Sequence, residues 1–384
     1  MNNFNFQNPT QLVFGKGQIA QLADLIPADK NIMITYGGGS IFKNGIYDQV
    51  KEALGNHNVS EFGGIEPNPE YETLMRCVAI CREKDIDFLL AVGGGSVIDG
   101  TKFIATALKW EGDEPWDFLV RPLPTGNAVP LAAVLTIPAT GSEMNNGSVI
   151  SRRERKEKLF FFNDACYPQF SILDPTAIYS LPKRQIANGI IDNYVHVLEQ
   201  YLTFDNQASI QDYWAEGILK TLLDVAPKLM ENQTDYDTCA NFMYAATMGL
   251  NGFISMGVVT DWATHMIGQE LTALHGLDHG VTLAIVYPGV ARVMREDKRE
   301  KLIQYAERVF NITEGTDNEK IDLAIIATEN FYRSLGVKIR LSEYNIGDDT
   351  IAEIVKRFTE RNYPLGERGN ITPAKIEEIL INVK

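Results

Sequence analysis

Phe88-Leu89-Leu90-Ala91-Val92-Gly93-Gly94-Gly95-Ser96-Val97-Ile98-Asp99 is the stretch whose reading decides the fold. A strongly apolar run of strand length passes through glycines into residues 97–108, which have helical spacing. Lacking side chains, Gly94 and Gly95 let a pyrophosphate approach the N-terminus of that helix, where free amides and the macrodipole favour an anion. Ser96 and Asp99 also stand at capping-box spacing, so Asp99 has a structural reading, satisfying the Ser96 amide, beside a ligand contact.

Towards the N-terminus the same tetrapeptide recurs as Gly37-Gly38-Gly39-Ser40, after the apolar residues 32–35 and before the helical pattern of residues 45–54. Neither copy is the Gly-x-Gly-x-x-Gly fingerprint, and one such cluster alone reads as a flexible turn. Two of them on successive strand-to-helix junctions point to a dinucleotide. The first copy bears on cofactor choice. A carboxylate there would bond the 2'-hydroxyl of NAD and repel a 2'-phosphate, whereas glycines, Ser40 and nearby Lys43 stand in its place. NADP(H) is the expected cofactor, and Gly39→Asp is expected to shift preference towards NAD(H).

Further outward, short apolar runs at residues 11–14, 31–36, 88–92, 131–137 and 171–173 alternate with helical patterns. This predicts βαβ units and a mostly parallel sheet. Beyond Lys183 the pattern changes to long helical segments, residues 185–203, 209–229 and 237–254. The join falls where Leu173-Asp174-Pro175 and Leu181-Pro182-Lys183 interrupt regular structure, giving an α/β dinucleotide-binding domain over residues 1–182 and an all-α metal-binding and substrate domain over residues 183–384.

At 384 residues the chain exceeds what one core usually serves, and 45% apolar with 22% charged residues is a globular composition. A net charge of -15 opposes nucleic acid and anionic membrane surfaces as partners. Four cysteines are too few for a disulfide scaffold; Cys77 and Cys81, four apart, share a helix face and read as packing. The first residues carry no basic and apolar signal pattern, and no run of 18 apolar residues follows, so a cytoplasmic protein is expected.

Of the five histidines, His196 lies four residues after Asp192, so both project from one face of a helix. His265 and His279 flank a helix end and a glycine-bearing turn, and the four groups form an O/N₃ set suited to zinc or iron. A single histidine in such a setting is more often a hydrogen-bonded core residue. Asp261, four before His265, is an alternative carboxylate that periodicity does not exclude.

The ordered series Gly-Gly-Gly-Ser at 37–40, Gly-Gly-Gly-Ser-Val-Ile-Asp at 93–99, Pro-Ala-Thr-Gly-Ser-Glu at 138–143, Leu-Asp-Pro at 173–175 and Asp192/His196/His265/His279 resembles the iron-containing (group III) alcohol dehydrogenases. The likeness is greatest to their NADPH-dependent aldehyde reductase and butanol dehydrogenase branch, and it covers nearly the whole chain. It implies the dehydroquinate synthase-like fold with the metal in a cleft between two domains, Asp192 as the carboxylate ligand, and a homodimer formed through the N-terminal segment. It also implies that Thr136, Thr140, Asn145 and Lys158 line the nicotinamide and ribose part of the site; without it, Thr140-Gly141-Ser142 reads as a turn and Lys158 as part of a charged run.

One departure concerns the proton. Many relatives carry a further histidine four residues after the first C-terminal one; here Gln269 stands there, which orients a hydroxyl but does not titrate near neutrality. His275, water or a ribose hydroxyl then takes that role. The expected activity is metal-dependent interconversion of aldehydes and primary alcohols by hydride transfer with NADP(H). The alternatives are a glycerol dehydrogenase-like or dehydroquinate synthase-like enzyme on this fold, or a non-catalytic nucleotide- or metal-binding module.

Overall fold

The computed structural model describes residues 1–121, 123 and 125–384. They group into two compact units, one of Gln7–Pro182 with Gln233–Thr247, the other of Met1–Phe6, Lys183–Asn232 and Met248–Lys384. Two short segments therefore depart from chain order.

The first unit holds strands β1 (Gln11–Phe14), β2 (Asn31–Tyr36), β3 (Asn58–Phe62), β4 (Phe88–Gly94), β5 (Leu131–Ile137), β6 (Gly147–Arg152), β7 (Glu157–Phe162) and β8 (Phe170–Leu173). Six of them form a parallel sheet in the order β1-β8-β5-β4-β2-β3, and β6 and β7 form a separate antiparallel pair. Helices α1 (Leu22–Leu25), α2 (Ile46–Leu54), α3 (Tyr71–Glu83), α4 (Gly95–Ala107) and α5 (Asp117–Val120) connect the strands.

Every residue of β4 is buried, which is why its sequence is continuously apolar rather than alternating. Phe88, Leu90 and Val92 share a core with Ile32, Ile34, Val134 and Ile172, and Leu89 and Ala91 on the opposite face are equally enclosed. The chain passes outward from β2 to β3, returns to β4, and continues to β5 on the other side. Strand order thus reverses between β2 and β4, and both Gly-Gly-Gly-Ser turns leave the carboxyl ends of those two adjacent strands. That is the position at which open α/β sheets bind ligands.

The sequence reading missed β3 and the hairpin. Strand β3 is an edge strand with two exposed residues, so it shows little apolar run. Between β6 and β7 the chain turns through Lys156 in the left-handed region (φ 50°), a position where glycine or asparagine would have signalled a turn. The Leu-Asp-Pro motif is a cap: Asp174 accepts the Thr176 amide at 2.9 Å and the Gly17 amide at 2.7 Å.

The remaining helices are α6 (Lys183–Tyr201), α7 (Ser209–Glu231), α8 (Tyr236–Gly249), α9 (Ala263–His275), α10 (His279–Val293), α11 (Arg299–Phe310), α12 (Asp317–Ser334), α13 (Asp348–Arg361) and α14 (Pro373–Asn382). Most of α8 belongs with the sheet unit, where Thr247 donates to buried Glu143. It stops five residues before the expected end at 254. Helices α9, α10, α13 and α14 enclose an aliphatic core that includes Ile267, Leu271, Ile285, Ile354 and Ile379. Among the described residues no helix is long and apolar enough to cross a membrane.

Candidate functional site

From Gly189 to Tyr201 every residue of α6 is buried. Such a helix has no solvent face, so its polar side chains must find partners inside. Asp192, His196 and Glu199 follow one another at helical spacing on one face. His265 lies in the first turn of α9, and His279 begins α10.

These elements bring one oxygen and three imidazoles together. Asp192 Oδ1 lies 3.5 Å from His196 Nε2, 3.6 Å from His265 Nε2 and 3.6 Å from His279 Nε2. The His196 and His265 rings stack at 4.5 Å, and His265 and His279 meet edge to face at 5.2 Å. Asp192, His265 and His279 alone already offer ligand atoms within 4.8 Å of one another. Asp192 Oδ1 and His265 Nε2 are buried without a hydrogen-bond partner. Leaving such atoms unpaired is costly, and a cation among them removes the cost.

The electrostatics agree. Burial pushes the Asp192 carboxyl up, but the imidazoles of His196, His279 and His265 outweigh it and hold the group well below the usual carboxylate range. Burial pushes His196 down to about 4, so it stands neutral, with its lone pair available. Burial also opposes charge on His265, yet Glu199 and Asp192 outweigh it and raise this group to about 9. With one carboxylate, three imidazoles and Glu199 behind them, the donor set fits a divalent ion such as zinc or iron.

The alternative carboxylate is occupied elsewhere. Asp261 pairs with buried Lys298 at 2.9 Å and accepts the Ala263 amide at 2.8 Å at the start of α9; Lys298 also meets Glu367 at 2.8 Å. Gln269 lies one turn after His265 and is buried. His275 does not join the cluster. It lies ten residues along α9 from His265, about 15 Å at 1.5 Å per residue, is exposed, and bonds Thr350 through Nε2 at 2.9 Å. The sequence reading offered it as one of three candidates for the proton relay, beside water and a ribose hydroxyl; its side chain lies apart from the Asp192 cluster and is bonded to Thr350.

In the sheet unit, β4 runs through Gly94 and α4 begins at Gly95. A Cβ on Gly95 would stand 2.4 Å from Thr140 Oγ1, and one on Gly94 would stand 2.8 Å from Ile137. These glycines let the Thr140 loop close over the helix N-terminus. Ser96 is then the second residue of α4, too far in to cap it, and the capping-box reading of Asp99 fails. Asp99 accepts instead from Ser142 Oγ at 2.6 Å and the Val149 amide at 3.0 Å.

Around this turn several of the expected residues are joined by hydrogen bonds. Asn145 Oδ1 accepts from Lys102 at 3.0 Å, and Lys158 donates to Asn68 Oδ1 at 2.9 Å. Asn68 donates its amide to Ser96 Oγ at 3.3 Å. Thr136 is buried near the end of β5, and Thr140 Oγ1 accepts the Ser142 amide at 3.2 Å. Gly37, Gly38, Gly39 and Ser40 follow β2, with Ser40 and Lys43 exposed. Sequence reasoning passed over Asn68, Lys102 and Glu199. Asn68 stands between two prolines, a loop signal with a polar side chain, and Lys102 is a lysine about two turns into an apolar helix.

Two family models match the chain, iron-containing alcohol dehydrogenase over residues 9–175 and the C-terminal domain of the Fe-containing alcohol dehydrogenase family over residues 186–383. The NADPH-dependent aldehyde reductase YqhD of Escherichia coli is 53% identical over 379 residues, 97% of each chain. A crystal structure of that protein superposes with a TM-score of 0.98 at 51% identity, covering 100% of this chain and 99% of its own. The NADH-dependent butanol dehydrogenase A of Thermotoga maritima gives a TM-score of 0.95 at 34% identity, with the same coverage.

Proposed function

Because the chain belongs to the iron-containing alcohol dehydrogenase family, we propose that it interconverts aldehydes and primary alcohols using NADP(H) and one divalent metal ion. The convergence of three imidazole nitrogens within 3.6 Å of Asp192 Oδ1 carries this reading. Asp192, His196, His265 and His279 hold the ion, which when bound supplies Lewis acidity towards a substrate oxygen. The family name favours iron, and zinc suits the same donors.

Gly37, Gly38, Gly39 and Ser40 with Gly94, Gly95 and Ser96 cradle the dinucleotide at the strand reversal, and the nicotinamide supplies the hydride. Thr136, Thr140, Asn145 and Lys158 hold the ribose and nicotinamide, with Lys102 bonded to Asn145 and Asp99 holding Ser142 of the same loop. The absence of an acid after β2 supports NADP(H), as does the cofactor named for the Escherichia coli relative. Gln269 orients the substrate hydroxyl, so the proton comes from water or a ribose hydroxyl. Residues 1–182, apart from Met1–Phe6 and with Gln233–Thr247 added, serve as the dinucleotide-binding domain, and the rest of residues 183–384 as the metal and substrate domain, of a cytoplasmic homodimer. Sedimentation as a monomer at micromolar concentration would remove the dimer.

His279→Ala tests the proposal. A lost ligand costs no less than a lost outer-shell partner, so kcat/KM for butanal should fall at least about 100-fold. The Kd for NADPH should stay within a factor of about 3, a free-energy change of roughly 0.6 kcal/mol. Oxidation of NADPH by butanal at an undiminished rate in metal-free protein would overturn the mechanism, and no net oxidation in metal-loaded protein would favour the alternatives on this fold.

A further inference from the structure

Glu199 lies seven residues after Asp192 on α6, with its carboxylate buried. Both of its oxygens are committed to the start of α9. Oε1 accepts the Thr264 amide at 2.6 Å, and Oε2 meets His265 Nδ1 in a short contact. Its own carbonyl accepts the Asp261 amide at 2.7 Å, so α6 and the entry to α9 are tied at side chain and backbone together. A carboxylate at a helix N-terminus is favoured by the free amides there, which makes this anchor firm.

The pairing has a consequence for the other ring nitrogen. A carboxylate accepts but does not donate, so His265 Nδ1 must carry the hydrogen. In the neutral ring Nε2 is then a bare acceptor, and it faces Asp192 Oδ1, another acceptor, at 3.6 Å, neither atom having a hydrogen-bond partner. We infer that Glu199 is the positioning residue of the metal centre, fixing His265 as the Nδ1–H tautomer with its Nε2 lone pair directed at the cation. The inference rests on the proposed metal site and adds a residue that binds no metal itself.

Glu199→Gln keeps the shape and removes the second acceptor. The amide then serves Thr264 or His265 but not both, and its NH₂ group opposes the Nδ1 hydrogen. Outer-shell losses of this type typically weaken metal binding about 10- to 100-fold. Zinc affinity is to be read by chelator competition on protein without cofactor or substrate, for wild type, Glu199→Gln and His279→Ala. In parallel, ¹⁵N-histidine spectra of zinc-loaded wild type report the tautomer, and five histidines keep that spectrum assignable.

The expected result is weaker zinc binding by Glu199→Gln within that range, with a hydrogen-bonded Nδ1 proton on His265 in wild type. Unchanged affinity in Glu199→Gln, or a wild-type His265 protonated at Nε2, overturns the inference and leaves the metal site standing. Equal zinc affinity in wild type and His279→Ala removes the metal site, and this inference with it. The wild-type spectrum decides the matter even if Glu199→Gln does not fold.

Discussion

Gly38 and Gly39 look interchangeable in sequence, and their surroundings differ. Gly39 holds φ 87° and a Cβ there would stand 3.2 Å from the Phe42 ring, whereas Gly38 is exposed with nothing within 4 Å of its Cβ position. Gly39→Asp would mix backbone strain and crowding with charge, so the cofactor test belongs at Gly38. Gly38→Asp should raise the KM for NADPH and favour NADH, shifting the ratio of their kcat/KM values by about 10-fold or more. Repulsion of a doubly charged phosphate at about 4 Å is worth roughly 2 kcal/mol even in water. An unchanged ratio would place the adenosine ribose elsewhere. Asp192 and Asp261 differ in the same way: both lie four residues from a histidine, but Asp192 faces three imidazoles while Asp261 is engaged by Lys298 and the Ala263 amide.

At the scale of elements, legibility followed the completeness of the local signal. Strand β4, and helix α6 from Gly189 to Tyr201, are enclosed on all sides, and their apolar spacing marked them. Edge strand β3 and the β6–β7 hairpin carry polar residues and an atypical turn at Lys156, so periodicity passed over them. A related device joins α12 to α13. Glu343 accepts the Ile339 and Arg340 amides, each at 3.0 Å, and pairs with Arg333 at 3.3 Å. Slight burial pushes its carboxyl up, but Arg333 and those amides outweigh it and hold the group below its ordinary value. A depressed carboxyl stabilises above the unfolded-chain value and loses that contribution as pH falls through the folded one. Melting of wild type should therefore decline more steeply than that of Glu343→Gln from pH 5 downward, and parallel curves would show that the contact contributes nothing.

For the whole molecule, a charge of -15 and four buried, unpaired cysteines suit a protein whose stability comes from cores and a bound ion rather than from cross-links. An ion that binds the folded chain and not the unfolded one adds about 2.7 kcal/mol at 100 times its Kd. Stripping the metal should accordingly lower the melting temperature, and zinc should restore it. A melting curve indifferent to both would place the ion outside this centre. By itself the sequence determined the sheet-then-helix order, the two glycine turns and the candidate ligands, because apolar periodicity, glycine and histidine each leave a local mark. Only tertiary structure decided that Asp192 rather than Asp261 faces the imidazoles, that His275 is bonded to Thr350, and that Glu199 backs His265. Those relations join residues distant in the chain, and packing, which no local pattern encodes, sets which of them meet.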